Sequence, residues 1–307
     1  MPVQGPIHVD RPLTNISIGY RSMGNIADEL FPVVPVMKES DLYYIFDKAN
    51  SLRSPRTLRA NGAEANEDNL SLSTASYRLQ EHALKELITK RDRDNADAAL
   101  NLEVSTVEDL SDKLLREREI AAAAIFSDGA WANESSIAAT AHWGLQTTVS
   151  NPILVADSAA AAVNINCGRL PNTCVLNDRA FRAVKEHLQV VDRVKYTSSE
   201  SVSESLIARL FGVDKLLVAR SSYNTAAEGL AATMANTWTD LAWFGYVSRS
   251  PGLKDPSALY CFKKDGGAMV KRWTDDARNG EWFETSHMYA QVTPATDAGY
   301  LVVNPVQ

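Results

Sequence analysis

Residues 105–129 read STVEDLSDKLLREREIAAAAIFSDG, one long helix whose middle turn is charged on every side. Ser105 with Glu108 three positions later matches the S-x-x-E capping box, in which each side chain satisfies an amide left unpaired at a helix start. Val107, Leu110 and Leu114 step by three and four residues, and Ala121, Ile125 and Phe126 resume the apolar surface further on. Asp109 with Lys113 and Asp112 with Arg116 each place an acid four residues before a base, the favourable order. Gly129 suits the stop. At ~1.5 Å per residue the helix is a rod of roughly 30 Å, too broken by charge to span a membrane. Arg116, Glu117, Arg118 and Glu119 point in four directions, so at least one charge falls on the line the leucines define. Two readings are open: these charges snorkel or pair locally, or they meet a neighbouring copy of the chain.

Composition bounds the rest. The chain has 307 residues, 45% hydrophobic and 22% charged, which is ordinary for a globular protein of one large domain or a few sub-domains. A net charge of -7 argues against a dedicated nucleic-acid surface, because neutralising phosphates needs a basic excess. Cys167, Cys174 and Cys261 are an odd number without C-x-x-C spacing, so neither a disulfide framework nor a thiolate metal site is expected, and a reducing cytoplasm is the natural site of folding. No charged segment followed by an apolar run opens the chain, and no stretch of about eighteen apolar residues occurs. The expectation is a protein neither secreted by a signal peptide nor membrane-spanning.

Residues 1–41 carry Pro2, Pro6, Pro12, Pro32 and Pro35 and read as an extended arm with a short helix at 26–31. Its Ile16, Ile18, Leu30, Phe31 and Val33 would cost free energy in water, so the arm is expected to lie against something. Residues 42–48 (LYYIFDK) form a strand and 75–84 (ASYRLQEHAL) its return partner, with a long polar loop between them. A loop of that length reads as a projecting hairpin whose tip works away from its own core. Its charges are segregated, Arg53, Arg56 and Arg59 on the outgoing half and Glu64, Glu67 and Asp68 on the returning half. The halves either zip together or dock onto an adjacent subunit.

Further on, Pro152 and Gly168 bracket a second helix, 173–176 is a short strand, and Asn177 or Asp178 caps a helix DRAFRAVKEHLQVV with Phe181, Val184, Leu188 and Val191 on one face. A short helix SLIARLF closed by Gly212 and a strand KLLVARS complete a strand-helix-helix-strand unit. Six short β-like runs follow, at 242–247, 258–264, 268–274, 281–285, 288–292 and 300–303. Turns are expected at Pro251-Gly252, Asp265-Gly266-Gly267 and Asn279-Gly280.

Motifs for chemistry are absent. No G-x-G-x-x-G, Walker-type loop or G-x-S-x-G elbow occurs. His8, His82, His142, His187 and His287 stand singly and read as surface or edge residues, so no metal ligation is expected. Ser221-Ser222 and Asp275-Asp276 read as loop and solvated charge. No catalytic residue, cofactor or metal is assigned.

The order of parts resembles the major capsid proteins of tailed bacteriophages, the Hong Kong 97-type fold. The likeness is carried by Ile26-Ala27-Asp28-Glu29-Leu30-Phe31-Pro32 in the arm, Tyr44-Ile45-Phe46-Asp47-Lys48 entering the hairpin, Leu114-Leu115-Arg116-Glu117-Arg118-Glu119 with its alanine tail, and Leu170-Pro171-Asn172-Thr173-Cys174-Val175-Leu176. It covers nearly the whole chain. The resemblance implies an α+β fold divided into an N-terminal arm (1–41), an extended β-hairpin loop (42–88), a peripheral domain (89–168) with its spine helix at 105–127, an axial domain (169–278), and C-terminal strands rejoining the peripheral domain (279–307). It implies self-assembly, through hexamers and pentamers, into the icosahedral head of a double-stranded DNA phage. Scaffolding, portal and decoration proteins are the implied partners, with non-specific contact to packaged DNA, no membrane, and assembly in the host bacterial cytoplasm.

On this reading Arg53, Arg56, Arg59, Glu64, Glu67, Asp68, Arg116, Glu117, Arg118, Glu119 and Phe31 are the candidate contacts between subunits. Some members cross-link through a lysine on the extended loop; no lysine lies between Lys48 and Lys85, so that chemistry is expected to be absent from the loop tip. The chain begins almost directly with the arm, which implies a separate scaffold or none. Two other readings stay open: an encapsulin-type shell of the same fold enclosing enzyme cargo, and a soluble α/β enzyme centred on residues 170–221.

Overall fold

The computed structural model describes residues 8–9, 24–69, 71–95, 101–127, 131–145, 147, 149–195, 202–252 and 255–306. Two sheets organise it. In the first, Tyr260–Asp275 and Gly280–Val292 form a long antiparallel hairpin, and Gln80–Thr89 adds antiparallel on the outer side of the second strand. Val33–Val36 (parallel) and His8–Val9 (antiparallel) pair along the other edge. Strict alternation puts Ile88, Val270 and Phe283 on one face, where Val107 of the helix Leu102–Ser127 meets them.

The second sheet runs Asn133–Ser136, Gly299–Val303, Leu241–Gly245, Thr173–Asn177, Lys215–Ala219. Its two central strands, TCVLN and LAWFG, are buried at every position, as continuous apolar strands covered on both faces must be. Helices Pro152–Cys167, Asp178–Glu186, Leu188–Val194 and Glu204–Leu210 cover one face, and the C-terminal half of the long helix with residues 26–31 covers the other. Trp131, Trp238, Trp243 and Phe126 fill the junction of the two sheets. Room for those rings comes from two glycines opposed in one ladder, Gly245 and Gly299: a Cβ on either would run into the Trp243 side chain, and one on Gly299 into the Trp131 ring as well.

Several expectations are met by residue. Asn151 caps the 152–167 helix by accepting from the Ile153 and Leu154 amides, and Gly168 ends it in the left-handed region. Asn177 caps the next helix through the Ala180 amide at 2.9 Å. Others are corrected. The long helix starts at Leu102, not Ser105: Asn101 accepts from the Val104 amide, while the Ser105 hydroxyl donates back to the Asn101 carbonyl. The helix expected from 178 breaks at His187, whose ring nitrogen caps a new one by accepting from the Gln189 amide. That break rotates the face, so Val190 and Val194 are buried while Leu188 and Val191 are exposed.

The run 75–84 splits at Leu79. Leu72–Arg78 pairs with Ser40–Phe46 in the short hairpin, and Gln80–Thr89 belongs to the first sheet. Asp265-Gly266-Gly267 is not a turn but a bulge inside one sixteen-residue strand, with Gly266 at φ +70. Asn279, at φ +50, does make the turn. His142, His187 and His287 are buried rather than superficial.

The sheets also redraw the expected boundary at 278/279. Strand Gly299–Val303 lies between Asn133–Ser136 and Leu241–Gly245 in the second sheet, whereas Tyr260–Asp275 belongs to the sheet carrying the long helix. The chain crosses between the sheets three times, after Thr89, after Gly245 and again after Val292, so no single cut separates them.

Candidate functional site

The charged turn of the long helix is turned mostly inward. Glu119 is fully buried, and its carboxylate accepts from the Ile26 amide at 3.0 Å, the Ala27 amide at 2.8 Å and the Trp238 indole at 2.6 Å. The two amides belong to the start of the short helix Ala27–Leu30, where unpaired N–H groups collect and a negative charge is favoured. Burial pushes the Glu119 carboxyl above the usual range, against the lowering effect of its hydrogen bonds. Arg118, also buried, pairs with Asp28 of the same short helix; its guanidinium lies 5.2 Å from the Tyr289 ring and 3.5 Å from the Cys261 sulfur. Arg116 closes a local pair with Asp112, and Glu117 faces His82 Nδ1 at 3.3 Å.

A local pair forms only at Arg116, with Asp112; Glu117, Arg118 and Glu119 meet distant parts of the same chain, and Arg118 and Glu119 clasp residues 24–31 to the body. Gly24, at φ +97, packs against the Arg220 backbone, and Lys215 pairs with Glu29. Leu30 and Phe31 have no exposed surface. Phe31, Arg118 and Glu119 are thus corrected as contacts for a neighbour, because the subunit's own core has already covered them. The apolar content of 26–36 is explained by this docking and by the Val33–Val36 strand; residues 1–7 and 10–23 of the expected arm, with Ile16 and Ile18, lie outside the described residues.

The other candidates face outward. One side of the short hairpin, Tyr43 and Tyr77, packs on Phe262 with ring centroids 5.6 and 4.4 Å away. Alternation then turns Leu42 and Tyr44 to solvent at 61% and 63% exposure, an apolar stripe on a two-stranded ribbon. Asp47 caps the turn Lys48–Ser51, and Lys48 reaches Asp297 at 2.8 Å, tying the hairpin's far end to the second sheet. Beyond it, Arg53, Arg56, Arg59, Glu64, Glu67 and Asp68 are all exposed. Among the described residues no ion pair joins the two halves of this loop; they are held instead by hydrogen bonds to backbone, from Arg59 Nε to the Ala63 carbonyl and from the Asn66 amide to the Arg56 carbonyl. The segregated charges do not zip, and both signs remain available to a partner.

Among the described residues no group of three or more His, Cys, Asp or Glu could hold a metal ion, and no helix is long and apolar enough to cross a membrane.

No protein-family model matches the chain. It is 28% identical over 303 residues to the major capsid protein of Burkholderia phage BcepMu, covering 96% of this chain and 95% of that one. To the major capsid protein of Pseudomonas phage JBD67 it is 24% identical over 309 residues, covering 98% of each. A solved phage-related protein from Bordetella bronchiseptica RB50 superimposes with a TM-score of 0.75 at 24% identity, over 97% of this chain and 98% of that one. Along nearly its whole length the chain is thus similar to two phage major capsid proteins, and it shares its mixed helix-and-sheet fold with phage capsid structures of the Hong Kong 97 type.

Proposed function

We propose that copies of this chain assemble, as pentamers and hexamers, into the icosahedral head shell that encloses a packaged double-stranded DNA genome. The observation that carries the reading is the hairpin of residues 40–78: an outward apolar stripe beside six loop charges without ion-pair partners among the described residues, on a fold shared with capsid subunits. A monomer gains nothing from such a surface, whereas a shell multiplies many weak contacts into a stable whole. The role is structural, with no catalysis by the chain itself, and its place is the virion, after assembly in the host bacterial cytoplasm.

In this reading the long helix is the spine of a peripheral domain, and the second sheet with its four helices is the axial domain. Arg53, Arg56, Arg59, Glu64, Glu67 and Asp68 grip the adjacent subunit, joined by Arg116 and Glu117 at the helix surface. No lysine lies between Lys48 and Lys85, so the loop tip forms no cross-link through one. Portal, scaffolding and decoration proteins are the further partners, and the contact with DNA is non-specific.

Negative-stain microscopy of the purified chain tests the assembly, and nuclease-protected DNA in particles from infected cells separates a genome shell from an enzyme-loaded one. Reversing Arg53, Arg56 and Arg59 to Glu is expected to abolish particles while leaving the subunit folded; particles at normal yield would remove the loop from the assembly contacts.

A further inference from the structure

Residues 178–194 carry two apolar faces where one helix can use only one. Read as a continuous helix, Phe181, Val184, Leu188 and Val191 step by three and four residues along a single line. The structure breaks the helix at His187 instead, which turns Leu188 and Val191 outward at 51% and 38% exposure and packs Val190 and Val194 inward. Apolar side chains left in water cost free energy, and a straight helix would return both to the line of Phe181 and Val184 while turning Val190 away from it. The same residues therefore support two helical arrangements that differ in which apolar side chains face the core.

One side chain holds the broken arrangement. His187 has no exposed surface; its Nδ1 accepts from the Gln189 amide at 3.2 Å, and its Nε2 lies 3.2 Å from the Ser150 hydroxyl oxygen. A backbone N–H can only donate, so Nδ1 carries no hydrogen, and the single proton of the neutral ring sits on Nε2, directed at Ser150. A second proton has only Nδ1 to go to, where it would meet the Gln189 N–H, donor against donor. The cap exists only while the ring is neutral. A straight helix has no such requirement, because the Leu188 and Gln189 amides would donate to the Val184 and Lys185 carbonyls in the ordinary ladder.

Burial lowers the proton affinity of His187, and no charged group adds to that effect. His142, Asp157, Cys174 and Lys215 lie on or beside the elements packed against the two helices, and Lys185, Glu186 and Asp192 lie on the helices themselves; none of them shifts the ring. Its protonation is thus set by the medium and by the cost of losing the cap, not by a neighbouring charge.

We propose that His187 is a pH-operated joint. Neutral, it caps helix Leu188–Val194 and holds the break; protonated, it releases the cap, and residues 178–194 run as one helix with Leu188 and Val191 in line with Phe181 and Val184. The joint belongs to the layer that covers the second sheet and does not depend on the assembly reading.

Hydrogen exchange on the full-length free subunit tests this, with rates corrected for the intrinsic effect of pH and compared between about pH 7.5 and about pH 4.5, a span that brackets histidine titration. As the first residue of its helix, Leu188 presents an amide ahead of the first intrahelical bond and is expected to exchange fast at the higher pH. On acidification, protection at Leu188 and Gln189 is expected to rise about tenfold while residues 190–194 stay protected. His187→Asn, whose side chain caps without titrating, should keep the neutral pattern at both pH values, and His187→Ala, which has no cap, should show the straight pattern already at the higher pH. Acid that speeds exchange throughout 188–194 would mean fraying rather than straightening and would overturn the joint. So would a wild-type pattern unchanged by acid, or an Asn variant that responds as the wild type does.

Discussion

Replacing Glu119 by Gln tests the clasp with almost no change in volume. In the wild type Oε1 accepts from the Ile26 amide and the Trp238 indole, and Oε2 from the Ala27 amide at 2.8 Å and from Ile26 at 3.1 Å. An amide side chain can present only one oxygen, so its NH2 must face either the Ala27 N–H or the Trp238 N–H, donor against donor. One hydrogen bond to a charged acceptor is lost, about 1.5–3 kcal/mol, and one buried N–H is left unpaired, about 1–3 kcal/mol. Removing a buried charge returns part of this, since burial already disfavours the Glu119 carboxylate. The net expectation is a loss of about 2–3 kcal/mol, or about 3–5 °C in melting temperature for a chain of this size. The assay is urea unfolding of the free subunit, followed by both Trp fluorescence and circular dichroism. Glu117→Gln, at a half-exposed pair with His82, is the control and should cost under about 0.5 kcal/mol. Since Trp238 reports directly on Glu119, its fluorescence in native Glu119→Gln should also shift. A Glu119→Gln subunit as stable as the wild type would refute the view that this carboxylate pins residues 24–31.

Other outcomes follow from the same packing. His287 is pressed down to about 4, chiefly by burial and then by Lys263 and Arg118, with Asp28 opposing and His82 adding to the lowering. The unfolded chain therefore binds a proton that the folded one refuses between about pH 6.5 and 4, and stability present above pH 6.5 is lost across that window, about 3 kcal/mol in all; His287→Leu should flatten the wild-type slope there in denaturation curves. Glu119, raised instead, works in the opposite sense: its unfavourable ionisation in the folded state costs stability as pH rises above the usual carboxylate range. Gly299→Ala should cost at least about 3 kcal/mol or prevent folding, because a Cβ meets the Trp131 and Trp243 rings, and recovery of soluble subunit after expression checks this. Cys174 and Cys261 are buried with thiols pushed upward by burial, while Cys167 is half-buried, so a thiol reagent at neutral pH should titrate at most one of the three in native protein and all three in denaturant.

The element types were legible where the local pattern was strong. Asn151-Pro152 and Gly168 bracket their helix in both sequence and structure, and Asn177 caps as its position suggests. What failed was long-range. His187 breaks a helix that its flanking residues would continue, because a ring nitrogen supplies a cap that periodicity does not register. The glycines at 266 and 267 carry the signature of a turn, yet thirteen residues on the far strand, from Gly280 to Val292, hold both flanks in a single ladder and reduce the break to a bulge. That one of the four charges at 116–119 must fall on the apolar line was legible, but not which, and the two amides and the indole that Glu119 serves lie about ninety and more than a hundred residues away, where no spacing rule connects them. Hydrophobic content showed correctly that residues 26–36 must lie against something. It could not say that the something is the same subunit.

That distinction bears on how a shell-forming chain divides its charges. A charged pair buried inside a subunit is satisfied once, at folding, and breaking it leaves an uncompensated charge, so it holds whether or not neighbours are present. An exposed charge without a partner contributes little until a neighbour arrives, and then contributes reversibly and in a salt-dependent way. The long helix and the loop stand at these two extremes: Arg118 and Glu119 are buried in the clasp, whereas Arg53, Arg56, Arg59, Glu64, Glu67 and Asp68 are exposed on the hairpin loop. If this division governs assembly, raising the salt concentration should slow particle formation through the loop charges while leaving the melting temperature of the free subunit nearly constant. Light scattering and calorimetry on the same samples measure both. A subunit that loses stability with salt as steeply as assembly loses rate would place the working charges inside the subunit rather than on the loop.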